Sequence, residues 1–278
     1  MRINYTNGYY DGQGYDNVAS GYGTFYWDNG NRVEGYFVNG NCTRGKYYFS
    51  DGTVFEGTFD SNELFHGKGK MRWTDGAHYE GDFYHGKRTG YGKMSWANGN
   101  VYEGQFNDGI LSGNGTFYYK NGDREIGYFV NDNITKGKCI YKDGTVYEGP
   151  FLNGYFHGKG KMIWTNGTIY EGDFNNGEKT GVGVIYSTKT KYRYEGHFKD
   201  GNRDGYGKLR YENTPDRVYE GNFKEGKRNG KFTIRYDNGA VQERYYENDE
   251  LADGIIEEID ENGNKTYIYY KGGESFIL

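Results

Sequence analysis

The sequence predicts an all-β fold: an elongated, single-sheet antiparallel meander of about ten β-hairpins, a repeat ribbon with no catalytic domain. Three observations predict it. A Tyr-Glu-Gly-x-Phe signature returns about every 23 residues along the chain. Side-chain character alternates with a period of two through each copy, as a half-buried strand requires. Asn-Gly or Asp-Gly steps recur between copies, where a chain must reverse.

The signature stands at Tyr79–Phe83, Tyr102–Phe106, Tyr147–Phe151, Tyr170–Phe174, Tyr194–Phe198 and Tyr219–Phe223, with looser copies from Val33, Phe55 and Glu125. In the copy from Tyr79, alternation puts Tyr79, Gly81 and Phe83 on one face and Glu80 and Asp82 on the other. A turn near Gly86 to Thr89 then brings back a second strand, whose Gly90, Gly92, Met94 and Trp96 share the aromatic face while Tyr91, Lys93 and Ser95 face away. This pairing sets the Phe83 ring across from the Gly90 and Gly92 backbone, since a ring laid over a strand glycine covers exposed main chain.

The opposite face reads as a charge ladder. Glu56, Glu80, Glu103, Glu148, Glu171, Glu195 and Glu220 form its row, with Lys70, Lys93, Lys161 and Lys208 on neighbouring strands. Such cross-strand pairs contribute roughly 0.2–1 kcal/mol each and suit a face that meets water. Asp51-Gly52, Asp75-Gly76, Asn98-Gly99, Asn121-Gly122, Asp143-Gly144 and Asn166-Gly167 are read as two-residue hairpin turns joining one unit to the next.

A slower repeat overlies the first. Gly35-Tyr36-Phe37-Val38-Asn39 matches Gly127-Tyr128-Phe129-Val130-Asn131, and His66-Gly67-Lys68-Gly69-Lys70-Met71 matches His157-Gly158-Lys159-Gly160-Lys161-Met162, which points to a duplicated block of four units. Two joints, Ser187–Lys191 and Glu212–Asp216, replace the Asx-Gly step with longer loops and are candidate contact points, with plain drift an equal account.

The full pattern is signature, Gly-rich turn, Gly-x-Gly pair, aromatic residue and Asx-Gly, as in Gly90-Tyr91-Gly92 with Met94, Trp96 and Asn98-Gly99. It resembles the MORN repeat, from about Tyr10 to about Val241. The stretch through Tyr245-Tyr246, Asn262-Gly263 and Tyr269-Tyr270 keeps the beat but loses Tyr-Glu-Gly, and is similar to a divergent variant of that repeat. The expected organisation is therefore an N-terminal cap strand over residues 1–9, the array over 10–242, and a divergent terminal repeat or cap over 243–278.

Composition bounds the rest. Hydrophobic residues make up only 34% of the 278 and mean hydropathy is −1.02, values that suit disorder unless the core is built from rings. Here 32 Tyr, 17 Phe and 4 Trp recur at fixed offsets, so rings can supply it. No run of about 20 apolar residues occurs and the start lacks a signal-peptide pattern, so a cytoplasmic location is expected. Cys42 and Cys139 are then free thiols. A net charge of −5 with glutamate rows argues against nucleic acid and against anionic lipid.

No catalytic, cofactor or metal site emerges. Gly40–Lys46 matches the opening of a phosphate-binding loop, but Tyr47 stands where Ser or Thr is needed and no helix follows. The five histidines form no ligand set, and about 36 residues after the last good repeat leave no room for an enzyme domain.

Nothing in the sequence offers a second layer to cover the aromatic strip of Trp27, Trp73, Tyr79, Phe83, Trp96, Tyr102, Phe106, Phe117, Tyr119, Tyr147, Phe151, Trp164, Tyr170 and Phe174. Ring-on-ring packing accounts for single residues. For the strip as a whole the reading is a concave aromatic groove that receives a protein partner, an amphipathic helix or another repeat surface, with self-association left open. The MORN resemblance implies the same kind of role: a non-enzymatic scaffold, often in cytoskeletal or ciliary assemblies, here most like a radial-spoke component. The second reading is a peripheral phospholipid tether through Lys87, Arg88, Arg203, Lys227 and Arg228. The third is a targeting module of a multi-protein enzyme complex.

Overall fold

The computed structural model describes residues 1–211, 217–271 and 274–277. Its described residues contain strands and turns and no helix, so the predicted all-β class holds. Every described pairing is antiparallel and joins strands adjacent in sequence, apart from the skips over the two-residue strands Tyr155–Phe156 and Glu250–Leu251. The chain forms two compact units, Met1–Thr135 and Lys136–Leu278. The first runs from Arg2–Tyr5 through pairs such as His78–Tyr84 with Lys87–Ser95 to Arg124–Val130. The second carries the same pairs, for example Thr168–Asn175 with Glu178–Ser187 and Tyr192–Lys199 with Asn202–Tyr211. The 212–216 joint lies outside the described residues.

One hairpin explains the signature. Between His78–Tyr84 and Lys87–Ser95 the register runs Tyr79 to Met94, Glu80 to Lys93 and Gly81 to Gly92, then shifts so that Asp82 faces Thr89 and Phe83 faces Arg88. Gly90 and Tyr91 form a bulge between them. The expected pairing of Phe83 with Gly90 and Gly92 is therefore corrected: the ring over the glycine pair belongs to Tyr79. A Cβ at Gly81 would lie 2.4 Å from the Tyr79 hydroxyl, and one at Gly92 would lie 2.3 Å from it, so neither position has room for a side chain. The Phe positions face a glycine across the preceding strand instead, Phe83 opposite Gly67 and Phe106 opposite Gly90.

The remaining signature atoms close the bulge. The Tyr79 hydroxyl donates to the Asp82 carbonyl at 3.0 Å, and the Asp82 carboxylate accepts the Tyr91 N–H at 3.2 Å. Gln105 accepts the Asn114 N–H in the same way, as Asp173 does that of Val182. The Val33 and Glu125 copies lack the tyrosine and are one residue shorter, and there a threonine hydroxyl takes its place: Thr43 donates to the Tyr36 carbonyl and Thr135 to that of Tyr128. The duplication is also legible in packing, since Phe65 stacks on Phe55 with centroids 3.9 Å apart, as Phe156 does on Tyr147 at 3.8 Å.

The turns differ from expectation in kind. The Asx-Gly steps between units close three-residue loops: Gly76 N–H donates to the Trp73 carbonyl at 3.1 Å and Trp73 N–H to that of Ala77 at 2.9 Å. Only the glycine is left-handed there, while Asp75 accepts the Ala77 N–H at 2.9 Å. The two-residue turns with both residues at positive φ lie within each unit, as in His85 (46°) with Gly86 (81°) and Asp108 (54°) with Gly109 (90°). Such tips also bond back to the previous hairpin, as in Gly86 N–H to the Phe65 carbonyl and Gly109 N–H to that of Arg88.

The core of each unit is the ring face itself. Phe106 meets Tyr79 edge to face at 5.1 Å and Tyr102 at 5.3 Å, so a phenylalanine bridges the tyrosine of its own hairpin and of the one before. The same bridge recurs in the second unit with Phe174 between Tyr147 and Tyr170. On the other face the predicted ladder forms, with Lys70–Glu80 at 3.0 Å, Lys93–Glu103 at 3.8 Å, Lys161–Glu171 at 2.7 Å and Lys208–Glu220 at 3.0 Å. That face also carries exposed tyrosines, Tyr22, Tyr36, Tyr91, Tyr128 and Tyr206. The gathering of rings on one side thus holds for the signature residues and the rings packed on them, and not for every tyrosine.

Candidate partner-binding face

The fourteen residues read as a docking strip separate into two classes. Tyr79, Phe83, Tyr102, Phe106, Tyr147, Phe151, Tyr170 and Phe174 are buried, none above 6% exposed. They pack on one another and offer no surface, which corrects the expectation that a single sheet cannot cover its own ring face: a tyrosine lying flat over a glycine pair, with a phenylalanine edge against it, needs no second layer. Burial raises the phenol pKa of Tyr79, Tyr102, Tyr147 and Tyr194 to about 12.

Trp27, Trp73, Trp96, Phe117, Tyr119 and Trp164 are half-buried. All four tryptophans of the chain hold one place in the repeat, the residue that opens the three-residue loop: the N–H groups of Trp27, Trp73, Trp96 and Trp164 donate to Asn31, Ala77, Asn100 and Thr168 at 2.9 Å. Each indole meets a ring or a cation of its own strand or of the next hairpin, Arg88 at 5.8 Å from Trp73 and Lys179 at 5.4 Å from Trp164 among them. Trp27 lies 4.8 Å from Phe25, and Trp96 stacks on Phe117 at 5.3 Å. Part of each indole remains exposed.

A second row on this face was not recognised in the sequence. The residue two places after each two-residue turn points inward: Ala19, Cys42, Arg88, Leu111 and Ile134 in the first unit, Lys179, Arg203 and Arg228 in the second. Cys42, which like Cys139 is in no disulfide, has its thiol pushed up to about 12 by burial. Arg88 donates to the Gly109 carbonyl at 2.7 Å and lies 5.7 Å from the Tyr79 ring centroid and 5.6 Å from that of Phe106, and its burial lowers the guanidinium pKa. Arg203 donates to the Gly226 carbonyl and lies 4.9 Å from the Phe223 ring, while Arg228 pairs with Asp249 at 2.8 Å and lies 4.1 Å from the Tyr246 ring.

These contacts correct the lipid reading for three of its five residues. Arg88, Arg203 and Arg228 are turned into the ring face and hydrogen-bonded there, because the turn ends at Gly86 and its equivalents rather than two residues later. Lys87 is on the outer side and pairs with Asp108, and Lys227 is exposed. The ring face is not uniformly apolar either: Glu125 takes the signature tyrosine's place, accepts a 2.9 Å hydrogen bond from the Tyr119 hydroxyl, and has its pKa raised by burial.

The other motifs give no site. Gly40–Lys46 runs from a turn into the strand Asn41–Tyr48, with no helix to aim at a phosphate. No group of three or more potential metal ligands comes together among the described residues.

The family model for the MORN repeat matches residues 10–32, 34–54, 55–78, 79–101, 102–124, 147–169, 170–189, 194–214 and 219–241. No curated protein matches the chain. Similar solved structures include a point mutant of the TCP10 domain of Danio rerio CPAP, at 12% identity over 95% of this chain and 96% of that one with a TM-score of 0.24. The wild-type domain is 11% identical over 100% and 97%, with a TM-score of 0.20. The SAS-4 (dCPAP) TCP domain of Drosophila melanogaster, in complex with a proline-rich motif of Ana2 (dSTIL), is 13% identical over 73% and 84%, with a TM-score of 0.23.

Proposed function

The chain belongs to the MORN repeat family, and from that premise we propose that it is a non-catalytic scaffold that holds a protein partner along the ring face of its repeats, within a cytoskeletal or ciliary assembly of the cytoplasm. MORN repeats build scaffolds that engage proteins or membranes, and the ring face supports the first of these.

The observation that carries the reading is the placing of the four tryptophans. A fold that needed only a core would bury its largest side chains. Here every indole sits half-open at one repeat position, beside rings that are fully covered. Tryptophan is the residue type most enriched among binding anchors, since it contributes a large rigid apolar surface for little lost freedom. An amphipathic helix or a second repeat surface laid along the ring face meets successive indoles from successive hairpins.

The test is recovery of partners by affinity purification with the natural chain and with a Trp96→Ala, Trp164→Ala variant, both checked by circular dichroism. The expected outcome is loss of the recovered proteins with the sheet spectrum intact. An unchanged set of partners removes the ring face from consideration. Flotation with acidic vesicles addresses the membrane reading, for which no association is expected.

A further inference from the structure

The second unit contains a recess of about 370 Å³ on the ring face, lined by Lys179, Ile185, Tyr192, Phe198, Arg203 and Tyr211 among others. Lys179 and Arg203 occupy the same inward place on consecutive hairpins, joined by the bond from the Gly201 N–H to the Lys179 carbonyl. We propose that this recess binds the carboxylate of an acidic side chain, presented by an extended segment of the protein partner. The proposal rests on the ring-face reading above and names the chemistry it selects.

Three observations support it. The fold does not require a cation at this place, because Ala19, Cys42, Leu111 and Ile134 fill it elsewhere. Lys179 has no ion pair or side-chain hydrogen bond among the described residues; its ammonium meets only the rings of Trp164 at 5.4 Å and Tyr170 at 5.9 Å, and burial lowers its pKa. A partly desolvated ammonium without a counter-charge is costly, and unlike Arg88 and Arg228 at the equivalent places Lys179 serves no carbonyl or carboxylate among the described residues.

Among the described residues Arg203 is hydrogen-bonded through one nitrogen, Nη2 to the Gly226 carbonyl. Asp249 lies within electrostatic range of Arg203 but is committed to Arg228 at 2.8 Å. The recess thus presents two cations to one incoming anion.

Spacing specifies the ligand further. Inward positions on consecutive hairpins are two strands apart, roughly 9–10 Å, which is about three residues of extended chain. A segment crossing the hairpins therefore places one acidic residue in the recess that Lys179 and Arg203 both line, and apolar residues within about three places of it reach Trp164 and Tyr192. Protein is favoured over an anionic membrane because a single segment meets only the local cations of the recess, whereas an extended anionic surface must also approach a chain of net charge −5.

The probe is a fluorescent peptide of about twelve residues repeating Glu-Leu-Ser, compared by anisotropy with its Gln-Leu-Ser counterpart. The natural chain is expected to bind the Glu peptide at least about tenfold more tightly than the Gln peptide. Lys179→Met is expected to remove that preference and Lys179→Arg to retain it, with circular dichroism and thermal midpoints unchanged. The proposal is overturned if neither peptide binds, if both bind equally, or if Lys179→Met keeps the preference. It is likewise overturned if phosphatidylserine vesicles, and not the peptide, show Lys179-dependent binding. Equal binding of both peptides that is lost in Trp164→Ala would sink the carboxylate site alone and leave the ring-face reading standing.

Discussion

The Tyr79 hydroxyl donates to the backbone carbonyl of Asp82, three residues ahead in the same strand, at 3.0 Å. The same bond joins Tyr102 to Gln105 at 3.1 Å, Tyr147 to Pro150 at 2.8 Å, Tyr170 to Asp173 at 2.9 Å and Tyr194 to His197 at 2.9 Å. It explains why the signature begins with tyrosine rather than phenylalanine: the ring covers a glycine pair and the hydroxyl serves the carbonyl at the bulge beyond it.

Tyr79→Phe keeps the ring and leaves that carbonyl short of a donor, which should cost about 1 kcal/mol. Tyr79→Ala also removes the ring from the glycine pair and should cost about 3–5 kcal/mol. Urea titration of both variants measures the difference, and equal losses would mean that the hydroxyl contributes nothing.

Gly92→Ala places a methyl group 2.3 Å from the Tyr79 hydroxyl and 2.5 Å from its ring carbons. The ring must shift, at a cost of about 1–3 kcal/mol. Gly86→Ala, with nothing within 4 Å of its added Cβ, tests a different effect, since only its positive φ of 81° resists. Thermal midpoints of the two variants separate crowding from backbone strain.

Alkali should unfold the chain in a defined window. The phenols of Tyr79, Tyr102, Tyr147 and Tyr194 stand at about 12 when folded, against 10.0 for an ordinary tyrosine. The unfolded chain therefore releases these protons first, and stability present in full below pH 10 falls as pH rises from about 10 to about 12. Absorbance at 295 nm followed alongside circular dichroism should show their ionisation coinciding with loss of the sheet.

Glu225 holds a φ of 50° in a two-residue turn where the equivalent places carry Asn39, Asp108, Asn153, Asn176 and Asp200. Asparagine enters the left-handed region more readily than glutamate. Glu225→Asn should raise stability by about 0.5–1 kcal/mol, read as a shift in the urea midpoint.

Period and alternation made much of this structure legible in advance. Tyr79, Gly81 and Phe83 lie inward and Glu80 outward as the pattern requires, and Lys70, Lys93, Lys161 and Lys208 find their glutamates. The bulge was not legible, because Gly90-Tyr91-Gly92 reads as plain alternation, which the φ of 55° at Gly90 breaks within the strand. Placing the turn at Gly86–Thr89 then set Arg88 in solvent, whereas it is the second residue of the returning strand and faces inward. A clue was present: Asn39-Gly40, Asp108-Gly109, Asn153-Gly154, Asn176-Gly177 and Asp200-Gly201 give these units a second Asx-Gly step. The docking strip was over-read for a separate reason. Alternation assigns a face but says nothing about whether rings lie flat on glycine or stand up from it.

The bond from a hairpin tip to its predecessor, as from Gly86 to Phe65 and from Gly109 to Arg88, makes one hairpin the template of the next. Cutting the chain at one tip and rejoining it at the next tip along restores the same donors and acceptors. Whole hairpins are therefore the natural unit of gain and loss within the array, and partial ones are not. Such an array can be lengthened or trimmed one rung at a time, changing the distance between two indoles while leaving the chemistry of every rung as it was.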